Sequence, residues 1–373
     1  MGKSGKRSFL KTFLFIINLL FIAGLLLSYS AAYISPARYW IFPFFGIAYP
    51  VFLIVNILFV ILWIILLKKR FLFSLIAILI GFNFLLGIFP FRFSADQPVP
   101  SGSFRVLTFN VHSLYGKTNR NYNPITPSMV MEFISREKPD VLCIQELFAA
   151  GKDYKVILEN VSRKINIEHY YFHNYYNIPD INNLNAIVIF SRFPIVRTGS
   201  ITFRNKNTMA IYIDIVKDKD TIRVYNVHLE SFRFGNDDYS FYSHLTGPAS
   251  DDIKITEGSL KIFGKLKKAF VLRAEQVEIL EREVSGSHYP VILCGDFNDT
   301  PSSYTYYKLN KGLSDAYRSA GHGLFGNTFA GNFPSFRIDY VMFDDHFAAY
   351  DYRKYNIDLS DHFPVSVYLK KIK

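Results

Sequence analysis

Acidic residues are almost missing from the first hundred positions of this 373-residue chain: of 31 Asp and Glu, one falls there. A stretch so poor in one sign of charge, and so apolar, is not the surface of an ordinary water-soluble domain. Cysteine is scarce as well. Only Cys143 and Cys294 occur, which excludes a disulfide framework. Both sit inside apolar runs that read as central strands, where a small buried hydrophobe is the plain role; a single disulfide in an oxidising compartment stays open. There is no internal repeat and no low-complexity tract, so solenoid and array architectures are set aside.

What is present is unevenly placed. Phe9 to about Ile34, Tyr39 to about Leu67 and Phe71 to about Phe91 each supply the ~20 apolar residues of a bilayer crossing. Their interiors lack Asp, Glu and Arg, and Lys11 lies at an end. The alternative for the first run is a cleaved signal peptide, but it is long for one and two more runs follow. The reading is therefore a membrane anchor over residues 1–95 with three transmembrane helices, in contact with lipid through residues 9–91. Lys3, Lys6, Arg7 and Lys11 precede the first run and Lys68, Lys69 and Arg70 follow the second, whereas the other two junctions offer Arg38 and Arg92. Cations are retained on the cytoplasmic side. An integral, multi-pass protein with its following domain outside the cytoplasm is expected.

The net charge of +11 has to be divided before it is used. Residues 1–100 hold 9 of the 42 Lys and Arg, a net of +8, which leaves +3 for residues 101–373. The basicity belongs to the anchor, and the remainder does not demand a nucleic-acid surface.

Pro98, Pro100, Ser101 and Gly102 mark a linker over residues 96–103, and residues 104–373 form one further domain. There, short β-branched runs alternate with amphipathic ones. Strands are expected at 105–112, 141–145, 186–190, 210–216, 222–228, 291–295, 337–343 and 364–369. A helix starts at Thr126-Pro127, with Val130, Phe133 and Ile134 as its inward stripe. A second spans 261–284 with Lys261, Lys265, Lys267 and Lys268 outward. The polar, aromatic connection from Ser231 to Ser259 is long enough to suggest an active-site rim.

Polar residues recur at the ends of these strands. Asp296 and Asn298 in GDFND lie two apart, hence on one side if the strand continues. Glu146 follows the buried run ending Ile144-Gln145. Asn110 closes TFN, where a turn-forming role is the bland alternative. His228 ends VYNVH, where a satisfied core histidine would serve equally. Asp339 in RIDYVM shares a strand face with Arg337, and an ion pair between them is its packing explanation. Asp361 and His362 stand together in SDHFPV before the last strand.

In this order the segments TFNV, QE, NVHL, GDFN, RIDYV and SDHFPV, together with NLNAIVIFSRFPI, resemble the endonuclease/exonuclease/phosphatase superfamily, which includes DNase I. The resemblance runs from about Phe104 to Val367. It implies a four-layer α/β/β/α sandwich with these polar residues at one edge. It also implies a phosphoesterase using water as nucleophile, with Glu146 as principal ligand of Mg²⁺ or Mn²⁺ and Asn110 and Asp361 completing or flanking the site. Oxygen donors suit such a hard cation, and the lack of a Cys/His cluster argues against structural zinc. Asp339 would hold His362, Asp296 would orient or deprotonate the water, and Asn298 and His228 would donate to phosphoryl oxygens; either Asp296 or His362 could be the base. Position 228 is His rather than the Tyr of the abasic-site enzymes, closer to the DNase, sphingomyelinase and phosphatase branches. The substrate is a phosphate ester, with a lipid head group, an inositol phosphate and nucleic acid all open. No segment points to a protein partner. The competing class is a non-catalytic membrane receptor or scaffold on the same fold.

Overall fold

The computed structural model describes residues 3–92, 98–114, 116–117, 124–150, 154–175, 183–203, 209–235, 252–323, 326–331 and 335–373. The apolar N-terminal part is helical: α1 (Lys3–Ser30), α2 (Phe42–Ile47), α3 (Tyr49–Ile65), α4 (Phe71–Ile80) and α5 (Phe82–Ile88). Its polarity is inverted relative to a soluble bundle. Asn18, Asn56, Ser74 and Trp63 are fully buried, and they bond one another: Asn18 Nδ2 donates to Ser74 Oγ at 2.7 Å, Ser74 Oγ to Asn56 Oδ1 at 2.9 Å, and Trp63 Nε1 to Asn18 Oδ1 at 2.9 Å. Phe9, Leu20, Ile65 and Ile80, by contrast, are 66–72% exposed. Polar groups gathered inward with apolar side chains outward is what a hydrocarbon solvent selects.

Three uninterrupted spans do not appear among the described residues. Phe9–Ser30 is long and apolar enough to cross a membrane, at 22 residues or about 33 Å at the helical rise. The second run restarts at prolines, Pro43 at the head of α2 and Pro50 at the head of the 17-residue α3, because proline is tolerated in the first turn and not beyond it. The third is bent by 72° between α4 and α5, around Gly81. Counting apolar residues missed these breaks, since proline and glycine change direction without lowering a run's hydrophobicity.

The rest of the chain is a four-layer sandwich. One sheet runs β13 (Phe347–Lys354), β14 (Val365–Lys371), β1 (Phe104–Asn110), β4 (Val141–Ala150), β6 (Asn183–Ser191), β5 (His169–Asn174). The other runs β11 (Ser314–Asp315), β12 (Asp339–Phe343), β10 (Val291–Asp296), β9 (Asp220–His228), β8 (Met209–Lys217), β7 (Ile195–Thr202). A small ribbon pairs β2 (Gly116–Lys117) with β3 (Pro124–Ile125). Pairing is antiparallel except β1 with β4 and β9 with β10. Alternation along each strand builds three apolar layers. Val106, Cys143, Ile213 and Ile292 face the opposite sheet. Leu107 and Leu142 face α6 (Pro127–Glu137) and α7 (Tyr154–Ile165). Tyr225 and Leu293 face α8 (Asp252–Ser285) and α9 (Tyr304–Leu309), and α10 (Ala316–Ala320) closes one end.

The expected strands form, most of them longer by a few residues. β5, β7 and β13 are additions, and each is the edge of its sheet; edge strands carry polar and charged side chains that blur the apolar signal. Helix α8 begins at Asp252, so the Ser231–Ser259 connection is shorter than expected, and residues 236–251 within it lie outside the described residues. Cys143 and Cys294 are free and buried between the sheets. Burial, and then the neighbouring Cys294, pushes the Cys143 thiol well above its ordinary value.

Candidate active site

The layer between the sheets changes character along its length, and the inward stripes show how. Val106 is followed by Thr108 and Asn110, Cys143 by Gln145, Val224 by Asn226 and His228, Cys294 by Asp296, and, running the other way, Val341 by Asp339. Five strands thus deliver polar side chains to one edge because period-2 alternation keeps each on the inner face. Asp296 stands opposite both His228 and Asp339 in register.

Glu146 breaks the alternation. The β4–β6 register shifts between Ile144 and Leu147, and Glu146 takes a left-handed φ of 54°, the signature of a β-bulge. The bulge turns toward the edge a carboxylate that regular pleating would send toward the outer helices. Asn226 holds it in place: its Nδ2 donates to Ile144 O at 3.0 Å and Val188 O at 2.8 Å, and its Oδ1 accepts from Gln145 Nε2 at 2.6 Å.

Around this frame the residues expected at the site converge. Asn110 Nδ2 donates to Glu146 Oε1 at 3.2 Å and to Asp296 Oδ2 at 3.1 Å, so one amide links the two sheets. Its Oδ1 accepts the His112 N–H at 3.1 Å, which leaves Asn110 facing the carboxylates as a donor. Asp339 Oδ2 meets His362 Nδ1 at 2.9 Å, and His362 Nε2 stands 3.7 Å from Asp296 Oδ2. His228 Nε2 lies 3.5 Å from Glu146 Oε1 and 3.9 Å from Asp296 Oδ2. Asp361 sits at the open side, 3.4 Å from His112 Nδ1, which is also 3.7 Å from Glu146 Oε2.

Two placements differ from the linear reading. The strand does not continue through Asn298. Its φ is 52°, its N–H donates to Asp296 Oδ1 at 2.8 Å, and its Nδ2 donates to Leu229 O at 3.0 Å; asparagine tolerates that conformation where most residues do not. Arg337 does not pair with Asp339. It binds Asp315 at 2.8 Å, which frees Asp339 for His362.

Electrostatics separates the roles. Burial first, and then the Asp339 charge, raises the Asp296 carboxyl to about 6. Burial acts against the charged form of His362, but Asp339 and Asp296 outweigh it and hold the imidazolium well above the usual histidine range. Burial likewise acts to raise Glu146, yet His228, then His112, Asn110 and His362, bring it below the ordinary glutamate value. Asp296, Asp339 and His362 have ligand atoms within 4.8 Å of one another, and His362 bridges the two carboxylates through Nδ1 and Nε2. Four carboxylates, Glu146, Asp296, Asp339 and Asp361, converge on the edge that holds His112, His228 and His362. That excess of negative oxygen donors, with Glu146 and Asp361 accessible at 30% and 27% of their side chains, fits a hard divalent cation.

Three residues escaped the sequence reading. Asn226 was detectable as a polar residue on an otherwise apolar inward stripe. His112 ends the same FNVH segment that holds Asn110. Tyr175 had no signal; its buried hydroxyl, kept protonated well above its ordinary value by burial and then by Glu146, meets His228 Nδ1 at 3.0 Å. A hydroxyl donating there leaves the ring hydrogen on Nε2, aimed at both carboxylates.

Residues 107–362 match the model of the Endonuclease/Exonuclease/phosphatase family, and residues 11–88 match a domain of unknown function (DUF8431). No curated protein matches the chain. Among solved structures, an endonuclease/exonuclease/phosphatase from Beutenbergia cavernae DSM 12333 is similar at 19% identity over 72% of each chain, with a TM-score of 0.50. The human Nocturnin catalytic domain with bound sulfate is similar at 16% identity over 74% of this chain and 97% of its own, also at 0.50. At these identities the likeness is one of fold.

Proposed function

Because the chain belongs to the endonuclease/exonuclease/phosphatase family, we propose that it is a divalent-metal-dependent phosphoesterase, tethered to a membrane by its N-terminal helices, that hydrolyses a phosphate ester with water as nucleophile. The observation that carries this is the linked set Glu146–Asn110–Asp296 with His362 and Asp339 at one edge of the sandwich. Mg²⁺ or Mn²⁺, held by Glu146 and Asp361 with Asn110 flanking, would supply Lewis-acid stabilisation of the phosphoryl oxygens.

The protein groups divide the remaining work. Asp296, raised to about 6, is basic enough to take a proton from water and acidic enough to be ionised at neutral pH, as a general base should be. Two donors, Asn298 N–H and Asn110 Nδ2, orient it. His362, kept charged by Asp339, presents Nε2–H as a donor to developing negative charge, and His228 and Asn298 add donors on the other side. The anchor reading is supported by the inverted polarity of α1, α3 and α4. Placement outside the cytoplasm is supported by the cations: Arg70 Nη1 donates to Lys11 O at 2.8 Å, which puts both at the end of the bundle away from the sandwich.

The test is hydrolysis of bis-p-nitrophenyl phosphate and p-nitrophenyl phosphate by the full-length protein in detergent. Turnover with Mg²⁺ or Mn²⁺, lost in EDTA and in Asp296→Asn, is expected. A folded protein inactive on every phosphate ester would favour a receptor or scaffold instead.

A further inference from the structure

The helical bundle docks on the end of the sandwich that carries the site. Three site-bearing strand ends run directly into it. Beyond β10 and Asp296, Ser302 Oγ donates to Gly46 O at 2.8 Å, and Pro301 packs on Gly87 so closely that an added Cβ there would meet it at 2.9 Å. Just before β12 and Asp339, the buried Arg337 donates to Gly87 O at 2.9 Å, and Tyr317 donates to Ile88 O at 3.1 Å. These are the terminal carbonyls of α5, which a helix end leaves without partners of its own. Beyond β9 and His228, Phe232 meets Phe270 of α8, and Phe270 meets Phe44 of α2.

The same junction has a lip of mixed character. Phe44 stacks on Phe263 at 4.5 Å, and Trp40 meets Phe263 edge-on. Lys267 lies 4.5 Å over the Trp40 ring. Leu260, one turn before Phe263, is 66% exposed, and Lys268, about two turns further along the helix, is exposed as well. Exposed apolar residues with tryptophan and lysine, at the bundle end opposite Lys11 and Arg70, match the composition of a membrane–water interface. With the bundle in a bilayer, as proposed above, the active-site edge stands at head-group level, not a linker's length away in bulk water.

From this placement, and resting on the phosphoesterase and anchor readings above, we infer that the substrate is a phosphate ester carried by an amphiphile of the same bilayer. Confining enzyme and ester to one surface replaces a bulk encounter by one at high effective concentration. A lysine-bearing lip complements the phosphate and any anionic neighbours, whereas the sandwich itself lacks the charge to collect soluble polyanions.

The experiment uses the full-length protein in mixed detergent micelles with Mg²⁺. The probes are dioleoyl phosphatidic acid, dioleoyl phosphatidylinositol 4-phosphate and dioleoyl phosphatidylglycerol, each against its dihexanoyl form below the micelle concentration, with single-stranded DNA, RNA and the p-nitrophenyl esters alongside. At least one long-chain ester should be cleaved about tenfold or more faster than its short-chain form, with a rate that follows its mole fraction in the micelle when only detergent is added. EDTA-sensitive cleavage of p-nitrophenyl esters, with no long-chain preference or with nucleic acid preferred, overturns this inference and leaves the phosphoesterase reading standing. Cleavage of nothing in the panel overturns both.

Discussion

Replacing Asn226 with leucine tests whether the bulge that presents Glu146 is held from the opposite sheet. The side chain is fully buried and leucine keeps its branched skeleton of four heavy atoms, so the change removes the polar groups while preserving the shape. It withdraws a donor from Ile144 O and Val188 O and an acceptor from Gln145 Nε2. Leaving three buried groups short of a partner costs ~1–3 kcal/mol each, and the new apolar contact returns ~1–2 kcal/mol, for a net loss of about 1–8 kcal/mol. A domain in the upper part of the ordinary ~5–15 kcal/mol range would stay folded. Trp63 lies inside the helical bundle and Trp40 packs on the outer helix α8, so tryptophan fluorescence does not report on the interior of the sandwich. The two cysteines do: both are fully buried between the sheets, and maleimide labelling against urea follows their exposure. At a denaturant slope near ~3 kcal/mol/M the midpoint should fall by about 0.3–3 M, and half-saturation by Mg²⁺ should rise as Glu146 loses its register. A midpoint within ~0.3 M of wild type, with unchanged metal dependence, would refute the reasoning.

Three further outcomes follow from the same geometry. Asp296 must be ionised to act, so kcat/KM should rise with pH through about 6; because its folded value lies above the ordinary 3.8, its contribution to stability in EDTA should be full below that ordinary value and be lost as pH rises through about 6, and a flat profile in both would remove Asp296 as the base. Glu146→Gln should weaken metal dependence and turnover together, whereas His362→Ala should spare metal affinity and lower kcat by ~10²-fold or more; equal effects on both parameters in both variants would merge roles held apart here. A reporter fused after Lys373 should behave as extracytoplasmic, and activity of a cytoplasmic-only reporter there would reverse the orientation.

Legibility in the sequence followed physical range. Central strands such as VLCI and VILC were visible because burial on both faces demands continuous apolar runs. Edge strands β5, β7 and β13 were not, since one side of each is unpaired and their composition is mixed. Asn110, Asp296, His228, Asp339 and His362 could be picked out because each ends or adjoins a strand in a short polar combination. Their mutual distances could not be read, because they belong to four strands of two sheets and to the segment before β14, up to 252 positions apart.

The sequence by itself determined the division into an apolar, cation-flanked part and an alternating α/β part, the inward stripes that end in polar residues, and the chemistry those residue types permit. Tertiary structure alone decided the rest. A bulge in β4, tied down from the other sheet by Asn226, aims Glu146. Asp315 takes Arg337 away from Asp339 and leaves that carboxylate to His362. Breaks at Pro43, Pro50 and Gly81 turn three apolar runs into one long helix and a set of shorter ones docked beside the site. Each of these depends on a partner distant in sequence or on a local change of backbone direction, and period and hydrophobicity record neither.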